Sequence, residues 1–198
     1  MGTTLFPLFL KLQGRRVLVV GGGPVAASKI NALLAAGADV TVVAPDMRPE
    51  IEGSSVTRWR REFSPDDLAG IWLVVAAATP PVNREVATAA DSRGVFVNAV
   101  DDPPNASAYL GGVVRRGGVT LAISTEGHAP ALAGLLREAL DAVLPPDLDR
   151  WMAEARAIRP RWLARGVPMA ERRPQLLRAL NALYTRRAWQ SFATEVWL

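Results

Sequence analysis

Four apolar residues in a row, Val17 to Val20, run straight into Gly21, Gly22 and Gly23. That is the pattern of a short strand buried on both faces and ended by a tight turn. After Pro24, the apolar positions Val25, Ala26, Ile30, Leu33 and Leu34 recur at helical spacing and stop at Gly37, a natural C-terminal cap. Val40 to Val43 predicts a second strand. Strand, glycine turn, helix and strand therefore follow one another within about 30 residues, the spacing of a βαβ unit. Beyond it the pattern predicts a strand at Val56 to Trp59 and one capped helical turn opening at Ser64-Pro65-Asp66-Asp67. A buried strand at Ile71 to Ala77, a helix from about Val82 to Ser92 and a strand at Val95 to Ala99 come next. This alternation predicts an α/β fold with a doubly wound parallel sheet.

Past Ala99 the period changes. Ser107 to Val114 and Val119 to Ser124 read as two strands joined by a tight turn at Arg115-Arg116-Gly117-Gly118, a hairpin rather than another βαβ unit. A loop from Thr125 to Pro130 opens a helix from Ala131 to about Leu144, which Pro145-Pro146 ends. The remainder is predicted helical, with breaks at Arg159-Pro160, Gly166-Val167-Pro168 and Arg173-Pro174. Trp151, Trp162, Trp189 and Trp197 in this tail are expected to be buried in a core or a subunit contact. The apolar opening, Leu5 to Leu10, is expected to lie against the sheet. The boundaries so drawn are 1–106, 107–146 and 147–198.

The small residues at the first turn have mechanical roles. Gly21 makes the turn, Gly23 lets backbone N–H groups approach a pyrophosphate, and Ala26 stands where a third glycine would allow close helix-on-strand packing. Pro24 loses no needed hydrogen bond at the first helical turn, and the helix N-terminus behind it offers free donors and a partial positive charge. A dinucleotide is expected to lie across Gly21, Gly22, Gly23, Pro24 and Val25; the plainer alternative is a glycine turn that only packs helix on sheet. The acidic residue expected about 20 positions on, which would bind the ribose diol, is missing, since Val43 and Ala44 are apolar. Asp46, after Pro45, can reach a ribose from the loop or be a solvated turn residue. With no basic residue at the strand tip, NAD is favoured over NADP, against which only Arg48 speaks. Ala78 and Thr79 fall at the C-terminal end of a parallel strand, where ligands collect in open sheets.

Composition narrows the function classes. The 198 residues with 49% hydrophobic content suffice for one substantial core. There is no run of about 18 apolar residues, so no membrane span is expected, and the N-terminus lacks the basic start and cleavage site of a signal peptide. A cytoplasmic protein is expected. The chain has no cysteine, which removes disulfides, thiolate nucleophiles and cysteine-based zinc or iron–sulfur sites. The net charge is +4, with 21 Arg against two Lys, and from Pro145 to Leu198 ten arginines face five acidic side chains. Such a tail suits nucleic acid, a solvated helical surface, or a polycarboxylate ligand held by guanidinium groups.

Three stretches carry a resemblance: LFLKLQGRRVLVVGGGPVAASK at the start, VNAVDDPPNAS at Val97 to Ser107, and AISTEGHAPALAGLLRE at Ala122 to Glu138. Over roughly residues 5 to 146 the chain resembles precorrin-2 dehydrogenase, the dehydrogenase module of siroheme synthase. The resemblance implies a Rossmann domain that binds NAD, a hairpin and helix forming a homodimer contact, and a helical C-terminal part closing over a tetrapyrrole. It implies oxidation of precorrin-2 to sirohydrochlorin; neither nucleic acid nor a membrane is expected as a partner. The family's proposed catalytic aspartate falls on Asp101 of the VDDP motif. A carboxylate at the carboxyl end of a sheet strand, near the expected nicotinamide, is a sensible proton acceptor; the alternative is a turn in which Asp101 or Asp102 caps backbone donors. Ser124, Thr125 and His128 fall in the implied substrate loop. There Glu126 replaces a glycine and Ala129 a serine of the usual STGGxSP, and Pro104-Asn105-Ala106 stands for Glu-Leu-Cys. No metal-ligand motif is present, and chelation would use the macrocycle's own nitrogens. The sequence therefore leaves open whether such an enzyme also inserts iron. The rival reading is a non-catalytic NAD-sensing module whose basic tail binds a partner.

Overall fold

The computed structural model describes residues 5–196, with side-chain surroundings as far as Tyr184. Two compact units emerge: residues up to Gly111 with Ser124–Ala133, and Gly112–Ile123 with residues from Gly134 on.

The first unit is built on a five-stranded parallel sheet in the order β3-β2-β1-β4-β5. Its strands are β1 (Arg16–Val20), β2 (Asp39–Val43), β3 (Thr57–Trp59), β4 (Leu73–Ala76) and β5 (Phe96–Ala99). Helices α1 (Pro24–Ala35) and α3 (Pro80–Asp91) join β1 to β2 and β4 to β5, and a short α2 (Pro49–Glu52) precedes β3. The apolar runs need cover on both faces, and they have it. Val17, Val19, Val40, Val42 and Val75 pack with Ala26, Ile30 and Leu33 of α1. Leu18, Val20, Val74, Ala76, Val97 and Ala99 pack with Val86, Ala89 and Ala90 of α3. The doubly wound sheet expected from the alternation is thus present.

Local differences have local causes. β4 starts later than Ile71 because the Ile71 N–H closes on the Leu68 carbonyl at 3.1 Å, completing the turn at Pro65–Leu68. α3 starts earlier than Val82, since Pro80 and Pro81 occupy first-turn positions whose N–H groups have no helical acceptor. The opening segment does not lie against the sheet. Phe6 is 85% and Phe9 70% exposed, and only Leu12 is buried. The turn after Leu12 is pinned where the Gly14 N–H meets the Gly37 carbonyl at 2.8 Å. Among the described residues, no backbone hydrogen bond ties 5–11 to the sheet.

The turn at Pro65–Leu68 carries the buried acid of this unit. Asp67 accepts from Arg61 at 2.8 and 2.6 Å and from the Ser64 N–H at 2.9 Å. Burial pushes its carboxyl up, but the Arg61 and Ser64 hydrogen bonds outweigh burial and hold it below the ordinary value. A carboxyl depressed in the folded state stabilises the fold above its unfolded pKa, and that contribution is lost as pH falls through the folded pKa. Asp67→Asn is expected to lower stability at neutral pH by about 1–3 kcal/mol and to flatten the acid limb of the melting temperature against pH. Calorimetric melting from pH 7 downward checks this, and an unchanged acid limb would contradict it.

In the second unit, β6 (Gly112–Arg116) and β7 (Val119–Ile123) form an antiparallel hairpin. Gly117 and Gly118 have φ of +54° and +79°. This two-residue turn lets pairing run to Arg116 with Val119, so Arg115 and Arg116 belong to the strand and not to the turn. Residues 107–111 are not strand, because Ser107 and Ala108 are drawn back onto the end of β5, as described below. Helix α4 (Pro130–Val143) shows Leu132, Leu135, Leu136, Leu140 and Val143 at the surface, the last 75% exposed.

Helices α5 (Leu148–Ala164) and α6 (Met169–Val196) complete the chain. The expected breaks at Pro160 and Pro174 do not occur, and both helices run through. Both prolines are exposed, so a carbonyl deprived of its N–H partner turns to water. The break at Gly166-Val167-Pro168 is real: Gly166 has φ +62° and the Val167 N–H returns to the Trp162 carbonyl at 2.9 Å. Trp151 and Trp162 are half-buried rather than buried. The indole of Trp151 donates to the Tyr184 hydroxyl and that of Trp162 to Gln175 Oε1, each at 2.7 Å, joining α5 to α6. The side chain of Trp189, and Trp197, lie outside the described residues.

Candidate active site

The glycine turn between β1 and α1 is shaped by two close backbone approaches. Gly21 has φ +121°, and a Cβ there would lie 2.2 Å from the Ala77 carbonyl oxygen. A Cβ on Gly22 would lie 1.9 Å from the Asp46 carbonyl oxygen, and the Gly22 carbonyl accepts the Arg48 N–H at 3.0 Å. So Gly21 presses on the end of β4 and Gly22 on the loop after β2. Gly23 differs, with nothing within 4 Å of a Cβ placed there. It is the N-cap of α1, has no side-chain cap and is followed by Pro24, so the donors of the first turn are not used by a capping side chain. Ala26 is fully buried at the crossing of helix and strand. An open cradle at a helix N-terminus, walled by glycines, fits a pyrophosphate.

Beside the first turn of α1 a cleft of about 450 Å³ opens at the carboxyl ends of β4 and β5. Val25 lines it from α1, Ala77 and Ala78 from the end of β4, Pro80, Asn83 and Arg84 from α3, and Val100, Asp101, Asp102 and Asn105 from the loop after β5. Of the residues singled out from the sequence, Val25, Ala78 and Asp101 therefore line one cleft. Thr79 is the exposed N-cap of α3 and makes no side-chain cap. Pro45 and Asp46 are exposed on the loop after β2. Arg48 is held by Glu50 at 3.0 and 3.2 Å. That carboxylate's hydrogen bonds raise the Arg48 pKa, while Arg48 lowers that of Glu50.

The two aspartates of the loop differ in what they touch. Asp102 Oδ2 accepts the Asn105 amide at 2.8 Å, and its carbonyl accepts the Asn105 N–H. The Asp101 carboxylate has no such bond among the described residues, and its backbone is left-handed, with φ +54°. A non-glycine residue there costs about 1–2 kcal/mol, and aspartate tolerates it better than most. The loop is clamped at its base. The Val100 N–H reaches the Ala76 carbonyl at 2.9 Å, and the Ser107 and Ala108 N–H groups reach the Val97 carbonyl at 2.9 and 2.8 Å. Asn98 and Ser107 complete the clamp: the buried Asn98 amide donates to the Ala108 carbonyl at 2.9 Å, and Ser107 Oγ accepts the Val97 N–H at 2.9 Å.

The loop with Ser124, Thr125 and His128 is not among the residues lining the cleft. Its hydroxyls are engaged locally: Ser124 Oγ accepts the Glu126 N–H at 3.1 Å and Thr125 Oγ1 the Ala129 N–H at 3.3 Å. His128 is exposed. Glu126, standing where a glycine was expected, has φ +56°. Gly127 packs this loop onto Pro103 and Tyr109, so it abuts the aspartate loop from behind.

Sequence reading missed Asn98, Ser107 and Asn83. Asn83, buried on the inner face of α3, accepts the Ala78 N–H on Oδ1 at 3.0 Å. It fixes the strand-to-helix corner that walls the cleft. The signal was a polar residue at an apolar position, between Val82 and Val86 on the helix and between Val97 and Ala99 on the strand. Asn83→Leu is expected to lower stability by about 1–3 kcal/mol through the orphaned Ala78 N–H and to weaken NAD binding. Asn83→Asp keeps an acceptor and should keep NAD affinity. Melting and NAD titration of both variants check this, and equal losses in both would contradict it.

A family described as "Putative NAD(P)-binding" matches residues 8–112. Siroheme synthase 3 of Aeromonas hydrophila subsp. hydrophila is 43% identical over 181 residues, which cover 89% of this chain and 39% of that protein. Siroheme synthase 1 of Aeromonas salmonicida is 44% identical with the same coverage. The chain thus spans about two fifths of the length of these curated relatives. Among solved structures, SirC, a precorrin-2 dehydrogenase, superposes with a TM-score of 0.70 at 25% identity, covering 96% of this chain and all of the other. A glycine cradle at a helix N-terminus and a matching sequence profile over the same sheet agree: the chain belongs to the putative NAD(P)-binding family.

Proposed function

We propose that the chain is an NAD-dependent precorrin-2 dehydrogenase, oxidising its tetrapyrrole to sirohydrochlorin in siroheme biosynthesis. The observation that carries the reading is Asp101, an unpaired carboxylate held in the left-handed region on the wall of the cleft beside the glycine turn. Residues in sparsely populated backbone regions cluster at functional sites because the surrounding structure must enforce them. Here the clamp on β5 does so. NAD, when bound, supplies the hydride acceptor. The open position at Gly23 and the free first turn of α1 would hold its pyrophosphate, with Pro45 and Asp46 on the adenosine side and Ala78 and Thr79 toward the nicotinamide. Arg48, neutralised by Glu50, offers little to a 2′-phosphate, which favours NAD over NADP. Val25, Ala77 and Ala78 give the reacting carbon an apolar wall. Loss of a hydride from a saturated carbon of the macrocycle must be matched by loss of a proton, and the Asp101 carboxylate would take it.

The similarity to siroheme synthases and to SirC supports this reading. Anaerobic incubation of the chain with precorrin-2 and NAD tests it. NADH formation with the absorbance of sirohydrochlorin is expected, and no NADH over the buffer control would overturn it. Ser124, Thr125 and His128 belong to a second proposal, that their loop meets the macrocycle's edge, and iron insertion is a separate activity that the same product assayed with ferrous ions would reveal.

The protein is proposed to work in the cytoplasm as a homodimer, with residues 107–146 forming the contact. The apolar row of Leu132, Leu135, Leu136, Leu140 and Val143 supports this, since a stripe of this kind on a helix calls for a covering partner. Leu135→Glu, at 65% exposure in the described fold, should convert a dimer to a monomer in analytical ultracentrifugation. A wild-type monomer would contradict the proposal. No helix among the described residues is long and apolar enough to cross a membrane.

A further inference from the structure

The cleft beside the glycine turn has three charged side chains, Arg84, Asp101 and Asp102, and only Arg84 is cationic. Some other arginines have a carboxylate, as Arg48 has Glu50, Arg61 has Asp67, Arg93 has Asp66 and Arg116 has Asp141, but none of these lines the cleft. The Arg84 guanidinium has no ion pair or hydrogen bond among the described residues. The helix gives it none, because the residues three and four positions away are Pro80, Pro81, Ala87 and Thr88. Asp101 and Asp102 share the cleft with it yet form no salt bridge to it. It sits one residue after Asn83, whose side chain is locked inward on the Ala78 N–H, so the backbone beneath Arg84 is fixed.

This arrangement poses an electrostatic question that the proposed reaction must answer. A substrate fringed with acetate and propionate groups enters a cleft whose other ionisable groups are two carboxylates. Like charges at close range repel, and Asp101 must stay free of a permanent cationic partner to accept a proton. A guanidinium in the same cleft, unpaired and presenting a planar fork, satisfies both demands. We propose that Arg84 is a substrate-binding residue: it takes one peripheral carboxylate of the tetrapyrrole and so sets the macrocycle's register against Asp101. The proposal rests on the dehydrogenase reading and names which residue of this chain recognises the substrate's acidic fringe.

The anionic group could equally belong to the cofactor, as its pyrophosphate, and the test separates the two. Wild-type chain, Arg84→Gln and Arg84→Lys are compared anaerobically with precorrin-2 and NAD, and NAD affinity is measured by titration without substrate. All three should fold alike, since Arg84 is exposed and glutamine and lysine suit a helix. In Arg84→Gln the KM for precorrin-2 should rise about ten- to a hundred-fold, as for loss of a charge-assisted pair, while NAD affinity holds. Arg84→Lys should recover part of the loss, and the wild-type KM should climb with ionic strength more steeply than that of Arg84→Gln. A fall in NAD affinity with the precorrin-2 KM unchanged would assign Arg84 to the pyrophosphate and overturn the proposal. No change in either would leave Arg84 a solvated surface residue and overturn it as well. A wild-type chain that makes no NADH would defeat the dehydrogenase reading itself, and this proposal with it.

Discussion

Asp101→Asn is expected to lower kcat for NADH formation from precorrin-2 by about 10²- to 10⁴-fold, the usual loss on removing a positioned proton acceptor, while NAD affinity is unchanged. Asparagine keeps the shape and tolerates the left-handed backbone at φ +54°, so the loop should keep its place and the loss should fall on kcat rather than KM. Asp101→Gly sharpens the test. It removes the carboxylate together with the cost of a side chain at positive φ, so the melting temperature should rise by about 2–4 °C for a gain near 1 kcal/mol while turnover stays as low as in Asp101→Asn. Stability and activity moving in opposite directions would mark a position where strain is kept for function. Asp102→Asn serves as the control, since Asp102 is already tied to Asn105. Turnover lost in Asp102→Asn but retained in Asp101→Asn would reverse the assignment of the two carboxylates.

The second large effect concerns the glycine turn. Gly22→Ala should destabilise the first unit by about 3 kcal/mol or more, because its Cβ would fall 1.9 Å from the Asp46 carbonyl oxygen and backbone must move to admit it. Gly21→Ala adds a positive φ to a 2.2 Å approach on Ala77 and should fare no better. Both loops that flank the cradle would be pushed apart, so NAD binding should be lost along with stability. Thermal melting of the two variants checks this. Melting temperatures within about 1 °C of wild type would show that the close approaches are not obligatory.

The sheet was legible from the chain because its strands are uninterrupted apolar runs bounded by glycine and proline, a signal that needs no tertiary information. The glycine turn was legible for the same reason, since Gly21 to Pro24 sits between a strand and a helix. Its two close approaches needed the structure: Gly21 lies against Ala77, and the requirement for Gly22 comes from Asp46, a residue 24 positions away in sequence. The hairpin was recognised but misframed, because a pair of glycines turns the chain in two residues and leaves Arg115 and Arg116 to pair. Pro160 and Pro174 were read as stops, yet an exposed proline inside a long helix gives up one hydrogen bond to water and the helix persists. The exposure of Phe6 and Phe9 was illegible, since an apolar stretch says that cover is wanted without saying what supplies it. At the candidate site the charged residues were visible in sequence and the buried amides were not. Asn83, Asn98 and Ser107 act by holding backbone atoms, and such partners are fixed only by the fold.

The empty space at Gly23 is where a bound pyrophosphate would lie. A Cβ there meets nothing within 4 Å, so Gly23→Ala should fold with wild-type stability and differ only toward a ligand that fills that space. Calorimetric titration of NAD into wild type and Gly23→Ala tests this directly. Binding at one site per chain in wild type, weakened about ten-fold or more in Gly23→Ala with equal melting temperatures, is the predicted result. Equal affinity in the two proteins, or no heat of binding in wild type, would contradict it.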